Sequence, residues 1–209
     1  MMESSFEIIA RWLEQHDPDA KPHFNEPASE GQIVAVESRL GQELPPSVRS
    51  LYLLANGQPY NGVGLEGAFT LMSLDEVVET FGFLNGEFPD GINTNASDDF
   101  FIDADPGMQA NWWSRRWIPI MQNGGGDYLC ADLDPAEGGT FGQIVAYYHD
   151  ENFRSLVSSG IDALMEGLAQ RDSLRQMLGR RGYDRRCLRP TVNARGYMLE
   201  GFKNEVSRS

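Results

Sequence analysis

WIPIMQNGGGDYLCADLDPAEGGTFGQIVAYYH, Trp117 to His149, is the stretch whose reading decides the fold class. Its apolar runs, Trp117 to Met121, Tyr128 to Leu133 and Phe141 to His149, are of strand length, rich in aromatic and β-branched residues, and separated by Gly-rich turns. Connections this short join antiparallel neighbours, because a parallel crossover needs a dozen or more residues. The stretch therefore predicts an antiparallel meander.

Upstream of it the period changes from two to between three and four. Phe6, Ile9 and Leu13 predict a first short helix that ends at His16 to Pro22, HDPDAKP. Ser29 and Gln32 have the spacing of a capping box, and Ile33, Val36 and Leu40 continue as a helical stripe stopped by Gly41. Pro45 and Pro46 open a third helix, with Val48, Leu51, Tyr52 and Ala55 inward and Asn56 and Gly57 ending it. Phe69 to Met72 reads as a strand, and Ser73 with Glu76 forms a second capping box ahead of Val77, Val78, Phe81 and Leu84. Asn85 to Arg116 reads as loop, with GEFPDG, INTNASDD and DADPG supplying turn chemistry. Downstream of the meander, Phe153, Val157, Ile161, Leu164 and Leu168 predict a closing helix over one face of the sheet. Helices first, strands in the middle and a helix last indicate an α+β fold with a mainly antiparallel sheet.

With 209 residues, 41% hydrophobic, 11% aromatic and 22 Gly, the chain is an ordinary globule long enough to bury one sizeable core. The start has no basic stretch leading into an apolar run, and no segment approaches the roughly 20 apolar residues that cross a bilayer. Only Cys130 and Cys187 are present, too few for a disulfide framework, so two free thiols in a reducing cytoplasm are expected. A formal charge of -14 argues against nucleic acid and membrane surfaces as partners and favours a basic protein, although acidity also serves solubility. The exception is the end of the chain, where Arg171, Arg175, Arg180, Arg181, Arg185, Arg186, Arg189 and Arg195 crowd together. Such a segment can fold onto its own acidic body, pair with a neighbouring chain or contact nucleic acid.

Little in the chain has the spacing of reactive chemistry. Asp98, Asp99, Asp103 and Asp105, like Asp132 and Asp134, supply hard oxygen donors but lack the ordered positions of a calcium loop. His16, His23 and His149 form no zinc pattern, and GGGD lacks the Lys and Ser/Thr of a phosphate loop, so neither metal nor cofactor is expected. Cys130, His149 and Asp150 have the residue types of a nucleophile, base and orienter, with no motif to bring them together. Asp127, projected by the Gly-rich turn, and Asp132 and Asp134 after it can grip a basic partner or, equally, close their own turns.

In order, GQELPPSVRSLYLLANG from Gly41, FTLMSLDEV from Phe69, WIPI from Trp117 and GGGDYLCADLDPAEGGTFGQIVAYYHD from Gly124, followed by a helix, resemble the SUKH superfamily. That superfamily holds fungal Knr/Smi-type cell-wall assembly regulators and bacterial immunity proteins that neutralise toxins. The resemblance spans about Ser29 to Leu168 and departs at Ser159 and Gly160, where many relatives place a Ser followed by an aromatic. It implies an α+β sandwich and a non-enzymatic protein binder. The chain is thus divided into an N-terminal helix and loop (1–28), a SUKH-like domain (29–170) and an Arg-rich extension (171–209). The expected function is neutralisation of a basic toxin by direct binding, with cell-wall regulation or scaffolding as the alternative and a small hydrolase as a remote third. The expected contact residues are Asp127, Asp132 and Asp134, with Phe100, Phe101, Trp112 and Trp113 from the acidic loop.

Overall fold

The computed structural model describes residues 2–16, 22–59, 63–89 and 101–179, with side chains as far as Arg171. Five helices and six strands follow one another as α1 (Met2–His16), α2 (Glu30–Leu40), α3 (Pro46–Tyr52), β1 (Thr70–Leu71), α4 (Leu74–Glu87), β2 (Asp103–Ala104), β3 (Trp117–Gln122), β4 (Tyr128–Asp132), β5 (Gln143–Tyr147), β6 (Phe153–Ser158) and α5 (Ile161–Gly179). The strands form one sheet in the order β1-β3-β4-β5-β6-β2. All of its ladders are antiparallel except the parallel pairing of β2 with β6.

Local chemistry starts and stops the helices as the sequence predicts. Ser29 accepts from the Gln32 amide while the Gln32 side chain accepts from the Ser29 backbone, and Gly41 ends α2 in the left-handed region. Ser73 and Glu76 repeat the reciprocal cap on α4. Each cap satisfies amides that a helix start leaves without intrahelical partners. Arg49 of α3 pairs with Glu37 and Glu30, which ties α3 to α2.

The meander β3-β4-β5 is antiparallel, with Cys130 opposite Val145 and Ile118 opposite Ala131. Its inner residues are nearly all buried and join one hydrophobic cluster with Ile9 and Leu13 of α1 and Ile161, Leu164 and Leu168 of α5. Burying each large side chain contributes roughly 1.5–3 kcal/mol. Pro119 is tolerated because β1 reaches only Met121 and Gln122, so β3 is an edge at Pro119, and the ladder shifts register just beyond it. At β1 itself the edge is covered by Gln58: its backbone amide donates to the Leu71 carbonyl and its side-chain oxygen accepts from the Leu71 amide.

Three elements differ from the sequence reading. Phe153 to Ser158 is the strand β6, not the first turns of the closing helix, which starts at Ile161. The spacing of Phe153 and Val157 suits either form, and the ladder to β5 on one side and β2 on the other decides it. Within the Asn85 to Arg116 loop, α4 continues to Glu87 and Asp103 and Ala104 form β2, too short to leave a periodic signal. Finally, α3 closes at Tyr52, and Asn56 and Gly57 serve α4 instead: the Asn56 side chain accepts from the Leu74 amide at 2.9 Å. Gly57 has φ 83° and lies so close to Ser73 that a Cβ would stand 2.5 Å from its nitrogen.

The proposed division at residue 170 falls inside α5, which runs unbroken from Ile161 to Gly179. Arg171, the first arginine of the extension, sits on the body: it pairs with Glu66 at 3.2 Å and donates to the Leu65 carbonyl at 2.9 Å. α1 also packs against α5. The other extension arginines, Cys187, Phe100, Asp98 and Asp99 lie outside the described residues or side chains. Among the described residues, no helix is long and apolar enough to cross a membrane.

Candidate functional site

Of the acidic residues singled out in the sequence, Asp132 ends β4, Asp127 immediately precedes it and Asp134 lies two residues beyond it, so the strand holds Asp127 about 17 Å from Asp132. They do not form one patch. Asp127 closes the Gly-rich turn: one carboxylate oxygen accepts from Asn123 Nδ2 at 2.7 Å, and the other accepts from the His149 amide at 3.2 Å. That second oxygen also lies 2.8 Å from His149 Nδ1. The hydrogen bond to Asp127 is the main reason the His149 pKa rises, with Asp150 adding to it.

Asp132 is fully buried. Its carboxylate accepts from the Asp134 amide at 3.0 Å and from Gln143 Nε2 at 2.9 Å, and Gln143 donates onward to the Gly107 carbonyl. Burial pushes its pKa up while these hydrogen bonds pull it down, and burial prevails. With no surface to offer, Asp132 staples the β4–β5 connection to the loop around Gly107. Asp134 is exposed, with a long 3.4 Å contact from Gln109.

The aromatic candidates divide in the same way. Trp113 is fully buried, donates from Nε1 to Asn85 at 2.9 Å and stands edge-on to Trp117 and Tyr147. A partner cannot reach it. Trp112 is half-buried beneath Arg154, whereas Phe101 is 67% exposed. The Phe101 carbonyl accepts from Asn152 Nδ2 at 3.2 Å, and Asn152 follows the exposed Asp150 and Glu151 in the β5–β6 turn. Phe101 and the Asp127–His149 pair therefore flank the same turn. The Phe101 side chain and those of Asp103, Asp150 and Glu151, on the segments joined by the Phe101–Asn152 bond, are all exposed.

Arg154 holds the β5–β6 turn in place and left no signal in the sequence. It is completely buried, donates to the Trp112 carbonyl from Nε and Nη2, and donates from Nη1 to the Glu151 and Phe153 carbonyls. Its side chain thus binds the Trp112 loop to the turn beside Phe101. Burial lowers its pKa to about 10, so it remains a cation at neutral pH.

Cys130 and His149 are not brought together. Cys130 is fully buried opposite Val145, whereas His149 is exposed in the turn beyond the end of β5 at Tyr147. Burial holds the Cys130 thiol well above its ordinary pKa, the reverse of what activates a nucleophile. Asp127, His149 and Asp150 do gather donor atoms within 4.8 Å of one another, a set that could contact a divalent ion. Asp127, however, already serves the turn, and the other two are exposed.

Known proteins resemble the chain. A 26% identical match over 74% of this chain is a glucan synthesis regulatory protein of Neurospora crassa, of which 35% is covered. A KNR4/SMI1 homolog 2 of Debaryomyces hansenii is 22% identical over 79% of this chain and 34% of its own length. The cell wall assembly regulator SMI1 of Saccharomyces cerevisiae is 22% identical over 70% and 35%. The chain thus spans about a third of the length of these curated relatives. A family model matches residues 27–167, which contain the whole sheet, and on that match the chain belongs to the SMI1 / KNR4 family (SUKH-1).

Proposed function

We propose that this chain acts by binding other proteins, as a regulatory docking module of the kind that its cell-wall relatives suggest, and performs no chemistry of its own. The observation that carries the reading is the exposed Phe101, on a segment that also carries the exposed Asp103 and is bonded through Asn152 to the turn with the exposed Asp150 and Glu151. An exposed aromatic with exposed carboxylates on the same segments suits a basic partner with an apolar recess: the charges steer encounter and the ring slows release. The names of the relatives, a glucan synthesis regulator and a cell wall assembly regulator, favour control of wall synthesis as the setting. A cytoplasmic location fits two cysteines without a disulfide framework.

Neutralisation of a basic toxin is the second reading, favoured by the net charge of -14. Affinity separates the two. Calorimetry on purified partners is expected to give several with micromolar Kd for a regulator, whereas one nanomolar partner identifies an immunity protein. In either case Phe101→Ser should weaken binding at least about tenfold, and association should slow as salt rises. A partner indifferent to both overturns the docking surface, and turnover of a substrate by the purified chain overturns the non-catalytic reading.

A further inference from the structure

Among the described residues, α4 has an outer face that is largely uncovered. Its inward residues Leu74, Val77, Phe81 and Leu84 are buried against the core. The opposite side presents Asp75, Glu79, Gly82, Phe83, Gly86 and Glu87, all exposed. These positions share one broad arc of the helix, since they recur at three- and four-residue steps. Phe83 is 63% exposed, and added Cβ atoms at Gly82 and Gly86 would meet nothing within 4 Å.

Each of these features works against the isolated helix. Glycine in an exposed helix interior lowers stability relative to alanine, and no neighbour here requires it. Phe83, 63% exposed, leaves most of its apolar surface in water. Glu87 lies in the last turn, where the helix dipole disfavours an anion, and that turn has no basic residue. The sequence of α4 contains no lysine or arginine at all, and Arg39 of α2 approaches only its first turn, 3.7 Å from Asp75. A covering segment would offset the charge and apolar costs: cations would meet Glu79 and Glu87, and an apolar side would meet Phe83. The two glycines would let its backbone come close.

We infer that the outer face of α4 is a second docking surface, and that its occupant is a basic amphipathic helix of a partner protein. The inference rests on the protein-docking reading and adds a site distinct from Phe101.

The test uses the full chain and, as probe, a labelled synthetic helical peptide with lysine on one side and leucine and alanine on the other, followed by fluorescence anisotropy. Saturable binding below about 1 mM is expected. Phe83→Ser should weaken it at least about tenfold. Gly86→Leu should weaken it similarly while raising Tm, which separates blocked docking from failed folding. Glu7→Lys, on the exposed side of α1, should leave binding unchanged. No saturation by that concentration, or equal binding by Phe83→Ser and the parent chain, overturns the α4 site, as does a loss with Glu7→Lys as large as that with Phe83→Ser. A natural partner that ignores Phe83 but is lost with Phe101→Ser refutes the α4 face alone and leaves the docking reading standing.

Discussion

The guanidinium carbon of Arg154 lies 4.8 Å from the centroid of the Trp112 ring. It is equally distant from the Tyr147 ring, so a fully buried cation stands between two aromatic faces. No carboxylate pairs with Arg154 among the hydrogen bonds that hold it; backbone carbonyls and ring quadrupoles replace the lost water. Tyr147 is in turn stacked on Tyr128 and edge-on to Trp113, so Arg154 links β5 and β6 to the loop that precedes β3.

Arg154→Ala should therefore lower stability by about 3 kcal/mol, because it opens a cavity and leaves carbonyls without donors. Arg154→Lys keeps the charge but loses the planar fork and should fall between the two. Urea unfolding midpoints with unchanged slopes check both. An Ala variant as stable as the parent would remove Arg154 from its structural role.

His149 should titrate above 6.5, its ordinary value, because the Asp127 carboxylate favours the protonated ring. A pKa raised in the folded chain means that the pair stabilises fully below the unfolded value and loses that contribution as pH rises through the folded one. Ring-proton NMR checks the shift, and Asp127→Asn should return it towards 6.5. The stability gap between Asp127→Asn and the parent should then narrow at alkaline pH.

Gly57→Ala and Gly41→Ala both place a side chain at positive φ, but only the first also meets backbone, with Ser73 nitrogen at 2.5 Å. Gly41→Ala should cost about 1 kcal/mol and Gly57→Ala at least about 2 kcal/mol. Asn56→Ala, which frees the Leu74 amide, should cost about 1 kcal/mol. Equal losses at the two glycines would contradict the close approach to Ser73.

Cys130 should be inert in the folded chain, being buried with its thiol pKa raised by burial. In a Cys187→Ser background, a thiol reagent should label it only upon unfolding. Rapid labelling of the native chain would show that β4 opens locally.

Much of the fold was legible because it follows from local rules. The pairs Ser29–Gln32 and Ser73–Glu76 announce two helix starts through the spacing that their hydrogen bonds require. The runs after Trp117 and Tyr128 announce strands of the meander. β6 was not legible, since Phe153 and Val157 satisfy both periods and only pairing with β5 and β2 separates them. Of the candidate residues, Phe101 is exposed and Asp127 closes its turn, both readable from residue type and neighbouring sequence. The burial of Trp113 and Asp132 could not, because alternation along a strand does not reveal which polar residue finds an internal partner such as Gln143.

What the sequence alone determined is the class of molecule: helix caps, strand runs, net charge and an ordered set of motifs that places the chain among its relatives. These depend on neighbours within a few residues or on composition. Which side chains remain at the surface was decided only by the tertiary structure. Arg154 and Trp112 are 42 positions apart, and the buried guanidinium is held by partners that the tertiary fold brings together, the Trp112 carbonyl and two aromatic rings. Phe101 and Phe83 lie outside while Trp113, Trp117 and Phe81 fill the close-packed core, a division that residue type alone does not fix.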